Sequence, residues 1–530
     1  MISSLSPPVS QKIIRNTVFN SLGRLWTMAV AFLLTPYMVS MLGPQRFGVW
    51  SLILGVTSYC NLFDLGISTS LVKYTSEYYA KKDYKAINST ISTGFLVYLF
   101  LAIIVVGLVS ISASSILHFF KIPLEIYNEA AFALLAAVVI HALSNTLGIF
   151  QAVITGLQRM DVTSIITIAA SIPGIIGTLV FLQLGYGLRG LIVSRALVVA
   201  LTAILLAIYS FNLLPSLRVN PRLSNISNLR KLLGYGIKIQ ITNLGALTNL
   251  HMNKILIGYF LKLNQVAFYE LGFKIAHTAT SLPMLLISAI TPAASEVEAR
   301  RDIKLLQQLY RRGSKYLTLA VAPTAIFTVL NAPLIMSVWM GTGHTKSVSV
   351  LVTRLLTISF SVSLLTGVGT TMARGVGKPE YETSYGLVTI VLNVLLGIGL
   401  IMRVGFSGVL IATLLASATG SAYFMRLFHR HLKISLAQFM RETYPKPIIA
   451  CLLASLCVFA SHHAVSFIFA QPTRLVNLAI LGLEACIFVA VYLITIFRSG
   501  YLDSYDKEIL KSAKVALCPF RIASHQPRMS

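Results

Sequence analysis

Apolar runs of about twenty residues follow one another from Ile13 to Phe497, each closed by a short polar stretch. A helix needs roughly 20 residues to cross a hydrocarbon layer about 30 Å thick, so each run is long enough to span a bilayer. The runs fall at 13–41, 47–71, 87–113, 126–155, 162–184, 188–211, 233–260, 266–292, 315–340, 347–372, 383–403, 406–428, 446–470 and 475–497. They predict about fourteen transmembrane helices. Barrel strands are half that length and alternate apolar with polar residues, which these runs do not. The expected class is all-α and polytopic.

The polar stretches carry a second pattern. SEYYAKKDYK, starting at Ser76, has a partial copy in SEVEARRDIK, starting at Ser295. The offset is 219 residues, and GLQRMD at Gly156 meets GVGKPE at Gly375 with the same offset. GLRG at Gly187 meets GFSG at Gly405, one residue short of it. FGVW at Phe47 likewise faces VAFY at Val266. Each pair occupies corresponding connectors, so the chain reads as a six-helix unit written twice, over residues 1–217 and 218–432. Two further helices (433–500) and a polar tail (501–530) follow. Six is even, so both units enter the bilayer from the same side. This predicts two parallel repeats around a central cavity, the geometry of alternating access.

Composition agrees with a membrane protein: 56% of residues are hydrophobic and 11% charged, against about a quarter charged in a soluble domain. The net charge of +26 would fit nucleic acid if the basic residues were unsorted. They are sorted. With the N-terminus in the cytoplasm, 32 of the 43 Lys and Arg fall on the inner side and seven on the outer side. Arg195, Lys254, Lys274 and Arg354 lie within runs. That is the positive-inside pattern with both termini cytoplasmic, and the charge reads as topology and contact with anionic membrane lipids, not nucleic acid.

The first apolar run joins the repeat, which argues against a cleaved signal peptide. Cys60, Cys451, Cys457, Cys486 and Cys518 are scattered, without zinc, redox or disulfide spacing. The longest outer connector, near 114–125, is too short for a catalytic domain, and no phosphate loop, nucleophile elbow or HExxH helix occurs. The sequence therefore reads as a transporter, not an enzyme, with no cofactor and no metal. Ser461-His462-His463 reads as a wet helix tip in preference to a metal pair.

Ionisable residues within spans cost several kcal/mol unless paired, hydrated or snorkelling, so they are the candidate site. Asp64, in NLFDLGIS, lies too far from either end of its run to snorkel. It is either an ion-coupling or gating group or a structural partner of a neighbouring helix. Arg24 either faces the cavity or snorkels inward. His251 and Lys254 lie on one face of the seventh run, and Lys274 and His277 on one face of the eighth. Glu270, four residues before Lys274, is a candidate neutraliser of it. Arg195 and Arg354, within two turns of the outer ends, either snorkel or line the cavity. A cavity with these cations suits an anionic headgroup, above all a phosphate or pyrophosphate. Pro36, Pro173-Gly174, Pro283 and Pro323 mark candidate helix breaks.

NSLGRLWTMAVAFLLTPYMVSMLGPQRFGVWSL and FDLGISTSLVKYTSEYYAKKD resemble the first two helices of the polysaccharide transporter family, within the multidrug/oligosaccharidyl-lipid/polysaccharide exporter superfamily. The LGPxxFGxW turn and the DLG stretch carry the likeness, and the doubled six-helix topology extends it over residues 10–430. The resemblance implies a flippase of the bacterial cytoplasmic (inner) membrane. It would move an undecaprenyl-pyrophosphate-linked oligosaccharide, such as an O-antigen unit of lipopolysaccharide, to the outer leaflet by alternating access. It would act beside other polysaccharide-assembly membrane proteins. Carried over, Arg24 and Asp64 fall on matching helices; Lys254 and Lys274 match in helix and chemistry. The last two helices depart from a twelve-helix pattern and either form a lipid-tail groove or pack on the bundle. Glu484 within the last run requires a partner. The alternatives are a cation-coupled multidrug antiporter of the same superfamily and a membrane glycan polymerase or ligase.

Overall fold

The computed structural model describes residues 7–284, 287, 290–300, 302–341, 347–468, 473–506 and 508. Among these, every regular element is helical. Arg301, Lys346, Lys507, most of the tail including Cys518, and parts of the runs at 266–292 and 446–470 lie outside the described residues.

The first two apolar runs form one long element, α1 (Pro7–Tyr59), whose two limbs meet at Gly43 with φ 74° and ψ 164°. The LGP motif explains the joint. Glycine reaches this left-handed φ without steric cost, and Pro44 presets the first turn of the second limb. The second run is not a continuous helix. A 3₁₀ turn at Cys60–Asp64 gives way to two left-handed residues, Leu65 and Gly66, before α2 (Ile67–Ala80) begins. Gly66 must be glycine for a second reason: a Cβ there would overlap the backbone of Gly236.

The chain continues through α3 (Tyr84–Phe119), α4 (Leu124–Leu147), α5 (Ile149–Gly156), α6 (Met160–Gln183), α7 (Gly187–Leu213), α8 (Ile226–Phe260), α9 (Leu263–Met284) and α10 (Ile290–Ala299). Then come α11 (Ile303–Leu330), α12 (Ala332–Met340), α13 (Ser347–Leu364), α14 (Gly367–Gly375), α15 (Glu380–Val404) and α16 (Phe406–Leu432). The short α17 (Leu436–Thr443) precedes α18 (Pro445–Ile468) and α19 (Arg474–Arg498). Pro36, Pro173 and Pro323 sit inside these helices without ending them, as membrane helices tolerate, whereas α9 ends at Met284, one residue past Pro283. Among the described residues the other interruptions within apolar runs fall at Gly43, residues 60–66, Gly148, Asn331 and residues 365–366, away from Pro36, Pro173 and Pro323.

Eleven helical stretches among the described residues are long and apolar enough to span a membrane, and Val18–Asp64 covers two of the apolar runs. α8 and α9, which carry Lys254, Glu270 and Lys274, are not among the eleven. The total is consistent with fourteen spans.

The duplicated sentences encode duplicated local structure. Glu77 pairs with Lys81 at 2.6 Å, and Glu296 pairs with Arg300 at 2.6 Å. Asp83 Oδ1 accepts from Ala86 N at 3.0 Å to cap α3, and Asp302 Oδ1 accepts from Leu305 N at 3.0 Å to cap α11. Arg159 meets Asp161 at 3.1 Å, as Lys378 meets Glu380 at 3.8 Å. The repeated residues thus end one helix and start the next.

Two compact units result. One gathers α1 to α8 and α9 as far as Thr278, with α13 up to Val352, α15 from Thr383, and α16 up to Ser417. Its packed core at one end joins Ile67 and Leu71 of α2 to Ile87, Ile91 and Tyr98 of α3, Val153 of α5 and Leu232 of α8. The other holds the rest of α9, α13, α15 and α16, together with α10–α12, α14 and α17–α19. Its core places Ala450, Ala454, Val458, Phe488 and Tyr492 of α18 and α19 against Leu319 and Phe327 of α11. Tyr492 OH donates to Leu319 O at 3.0 Å.

Candidate transport site

α8 and α9 are joined by a turn at Leu261 and Lys262, so residues equidistant from it lie side by side. Lys254 and Glu270, each eight positions from Lys262, form a buried ion pair at 2.6 Å. Glu270 therefore neutralises Lys254 directly, while Lys274 donates to Thr35 Oγ1 of α1 at 2.6 Å. Lys274 still feels the Glu270 charge. Ser51 Oγ donates to Glu270 Oε2 at 3.1 Å. The Lys254 ammonium also lies 5.2 Å from the centre of the Phe273 ring, and that of Lys274 5.8 Å from Phe47.

A neutral ring continues the network. Asn253 donates to Tyr269 OH at 3.1 Å and to Thr413 Oγ1 at 2.9 Å. Asn393 Nδ2 donates to Asn253 Oδ1 at 3.3 Å, and Thr413 Oγ1 to Asn393 Oδ1 at 3.2 Å. These contacts hold α8 in register with α9, α15 and α16, and fix the backbone under Lys254. His251 presents its ring edge-on to Tyr59 at 6.3 Å, and its Nδ1 is buried without a hydrogen-bond partner among the described residues. His277 stacks on Phe273 at 5.5 Å and is exposed. The cluster thus runs from a fully enclosed Lys254, through Lys274, to an exposed imidazole. It holds two lysines and one carboxylate, an excess of one positive charge.

Asp64 sits at the break before α2. Its Oδ1 accepts from Tyr98 OH of α3 and from Ser68 N at 3.3 Å, so it caps the restarted helix. Beside Tyr98, a cavity of about 20 Å³ is lined by Cys60, Val105, His141 and Asn145, room for one water molecule. Asn145 Nδ2 meets His141 Nε2 at 3.2 Å, and Arg195 lies within electrostatic reach of His141. Tyr98 and His141 thus line one small cavity, with Asp64 bonded to the first and Arg195 near the second.

Arg24 is exposed on α1 and has no hydrogen bond or ion pair among the described residues. Arg354, in the second unit, donates through Nε to Val329 O at 3.1 Å, in the last turn of α11, where a cation complements the helix terminus. In the same unit Glu484 finds its partner: His462 Nδ1 lies 2.8 Å from Glu484 Oε1. Sequence reasoning missed Thr35, Ser51, Tyr98, Asn253, Asn393 and Thr413. The one signal that reaches some of them is the repeat offset, since Thr35 and Ser51 are the counterparts of Lys254 and Glu270.

Comparison with known proteins agrees with this architecture. The model of the family described as "Polysaccharide biosynthesis protein" matches residues 13–298, and the MatE model matches residues 247–398. A protein of Shigella flexneri named "Putative O-antigen transporter" is 21% identical over 378 residues, covering 69% of this chain and 86% of its own length. The solved structure "Lipid II flippase MurJ, inward closed conformation" superposes with a TM-score of 0.67 at 14% identity, covering 92% of this chain and 99% of that one. An inward-facing multidrug resistance MATE family transporter superposes with a TM-score of 0.62 at 16% identity, covering 80% and 98%. At these identities the structures establish a shared fold. With more than half of its length matched by the family model, the chain belongs to the polysaccharide biosynthesis protein family of multi-pass membrane transporters.

Proposed function

We propose that this transporter is a flippase that carries a polyprenyl-pyrophosphate-linked oligosaccharide from the inner to the outer leaflet of the bacterial cytoplasmic membrane. It acts by alternating access between its two six-helix repeats, with both termini in the cytoplasm. The observation that carries the reading is the charge balance within the helices. Lys254 and Lys274 share the single carboxylate of Glu270, and Arg24 has no protein counter-ion among the described residues. A pyrophosphate supplies the missing negative charge and offers several acceptors to ammonium and guanidinium donors. Lys254, Lys274, Arg24, His251 and His277 bind the headgroup in this scheme, with Arg195 at its edge. Asp64, held by Tyr98 at a helix break, serves as the ion-coupling or gating group. The Shigella relative named for O-antigen transport supports the substrate class.

Deletion of the gene tests the reading. The expected result is accumulation of lipid-linked repeat units at the inner leaflet together with loss of surface glycan. The MatE match over residues 247–398 favours a second reading, a cation-coupled drug antiporter. A deletion that changes drug tolerance and leaves surface glycan intact selects it. Other polysaccharide-assembly membrane proteins are the expected partners, and co-purification from the native membrane tests that.

A further inference from the structure

A basic pocket and an apolar groove meet at one side chain in the second unit. The pocket, about 640 Å³, is lined by Arg311, Arg312 and Lys315 of α11, Arg441 of α17, Lys446 of α18 and Tyr501 of the tail. The groove, about 510 Å³, is lined by Ile290, Val297, Leu305, Leu309, Leu317 and Val368. Arg312 lines both, and its guanidinium lies 3.8 Å from the centre of the Tyr505 ring.

The charges of the pocket are only partly spent within the protein. Glu442 takes Arg311, and Asp506 takes Lys315. Arg312, Arg441 and Lys446 have no carboxylate partner among the described residues, although Lys446 Nζ donates to Ser499 O at 3.0 Å. The walls are built, not incidental. α17 is anchored by Phe439, fully buried and stacked on Tyr310 at 4.9 Å, which leaves Gln438, Arg441 and Glu442 to the pocket. The start of the tail folds back because Tyr501 OH donates to Thr443 O at 2.7 Å and Tyr316 OH to Asp506 Oδ1 at 2.5 Å. Asp503 and Asp506 cap each other's backbone amides at 2.8 and 3.0 Å.

A basic chamber beside a hydrocarbon-lined trough matches an amphiphile with an anionic head. We infer that this is a binding site for an anionic phospholipid, with the phosphate against Arg312, Arg441 and Lys446 and an acyl chain along Leu305, Leu309 and Val297. The pocket lies on the basic side of the sequence, where inner-leaflet anionic headgroups gather around Lys and Arg. The site is separate from the Lys254–Glu270 cluster and holds whether or not the proposed substrate is correct. Its role is to clamp α11, α17 and the folded-back tail together from the lipid side.

The purified full-length protein in detergent is titrated with phosphatidylglycerol, phosphatidylcholine, inorganic phosphate and undecaprenyl phosphate, with binding read by native mass spectrometry and by the thermal midpoint. Phosphatidylglycerol is expected to bind saturably and raise the midpoint, phosphatidylcholine to do neither, and inorganic phosphate to leave the bound lipid in place. The pair Arg312→Gln with Arg441→Gln weakens phosphatidylglycerol binding about tenfold or more, and raised salt weakens it in the wild type. Leu305→Glu, at an exposed position in the groove, weakens the lipid equally without altering the lipid-free midpoint. Equal binding of both phospholipids, or unchanged binding in either variant, overturns the inference. So does displacement of the lipid by inorganic phosphate, which marks a free-anion site, or by undecaprenyl phosphate at lower concentration, which assigns the groove to transported lipid.

Discussion

Ser51 Oγ donates a 3.1 Å hydrogen bond to Glu270 Oε2, and the two residues are 219 positions apart, the offset that relates the two copies of the six-helix unit. Gly48 lies near its counterpart too: a Cβ on Gly48 would lie 2.2 Å from Leu263 O and 3.6 Å from Ala267 N. The duplication is unequal in chemistry. The second copy holds Lys254, Glu270 and Lys274, and the first offers Thr35, Ser51 and Gly55 at the same positions. Thr35 and Ser51 serve the charged residues of the other copy as hydrogen-bonding partners.

From this follows a strong penalty for removing the shared carboxylate. Glu270→Gln leaves Lys254 and Lys274 buried without a counter-ion and should destabilise the protein by about 3–5 kcal/mol. Adding Lys254→Met to Glu270→Gln should recover at least about 1 kcal/mol of that loss, because one uncompensated cation goes with it. Thermal unfolding of the two single variants and the double variant in detergent measures the coupling. Strictly additive effects contradict the network.

Asp64 and Tyr98 are expected to act as a unit. Asp64→Asn should abolish restoration of surface glycan in a deletion strain, with unchanged protein level in the membrane. Tyr98→Phe removes the hydroxyl that bonds Asp64 and should lower activity, while adding nothing when combined with Asp64→Asn. Full activity of Asp64→Asn removes it from the mechanism.

The repeated charged connector is predicted to be structural. Asp83→Ala and Asp302→Ala each remove a helix cap and should cost about 1 kcal/mol apiece. The exposed Glu77–Lys81 pair should contribute nothing measurable. Equal losses from Lys81→Ala and Asp83→Ala, read as shifts in the thermal midpoint, would refute this division.

The tail contact should respond to acid. Burial raises the affinity of Asp506 for a proton, but Lys315 and Tyr316 outweigh it and hold the carboxyl below its usual 3.8. A lowered folded value means that the contact is fully stabilising above the ordinary pKa and weakens as pH falls through the folded one. Cleavage in the 499–506 segment by an acid-active protease should therefore rise only below about pH 4. Asp506→Asn should be cut readily at every pH, and a wild-type profile flat to pH 2 would contradict the pairing.

Much of the architecture was legible in the residues because its causes are local. Run length against bilayer thickness sets helix and span, and the copied connectors carry matching ion pairs and helix caps. Even the LGP joint at Gly43 is written in its own glycine and proline. The site was legible only in its ingredients. Spacing along one helix offered Lys274 to Glu270, yet the turn at Leu261 and Lys262 brings Lys254 to it and sends Lys274 to Thr35, 239 residues away. Asp64 reads as mid-helix, yet the helix breaks at residues 60–66, where Gly66 packs closely on Gly236, and Tyr98 of α3 bonds Asp64 there. Hydropathy and helix period act over a few neighbouring residues and are determined by the sequence alone. Which charge meets which partner depends on distances between helices that no local pattern encodes, and that was decided by the tertiary structure.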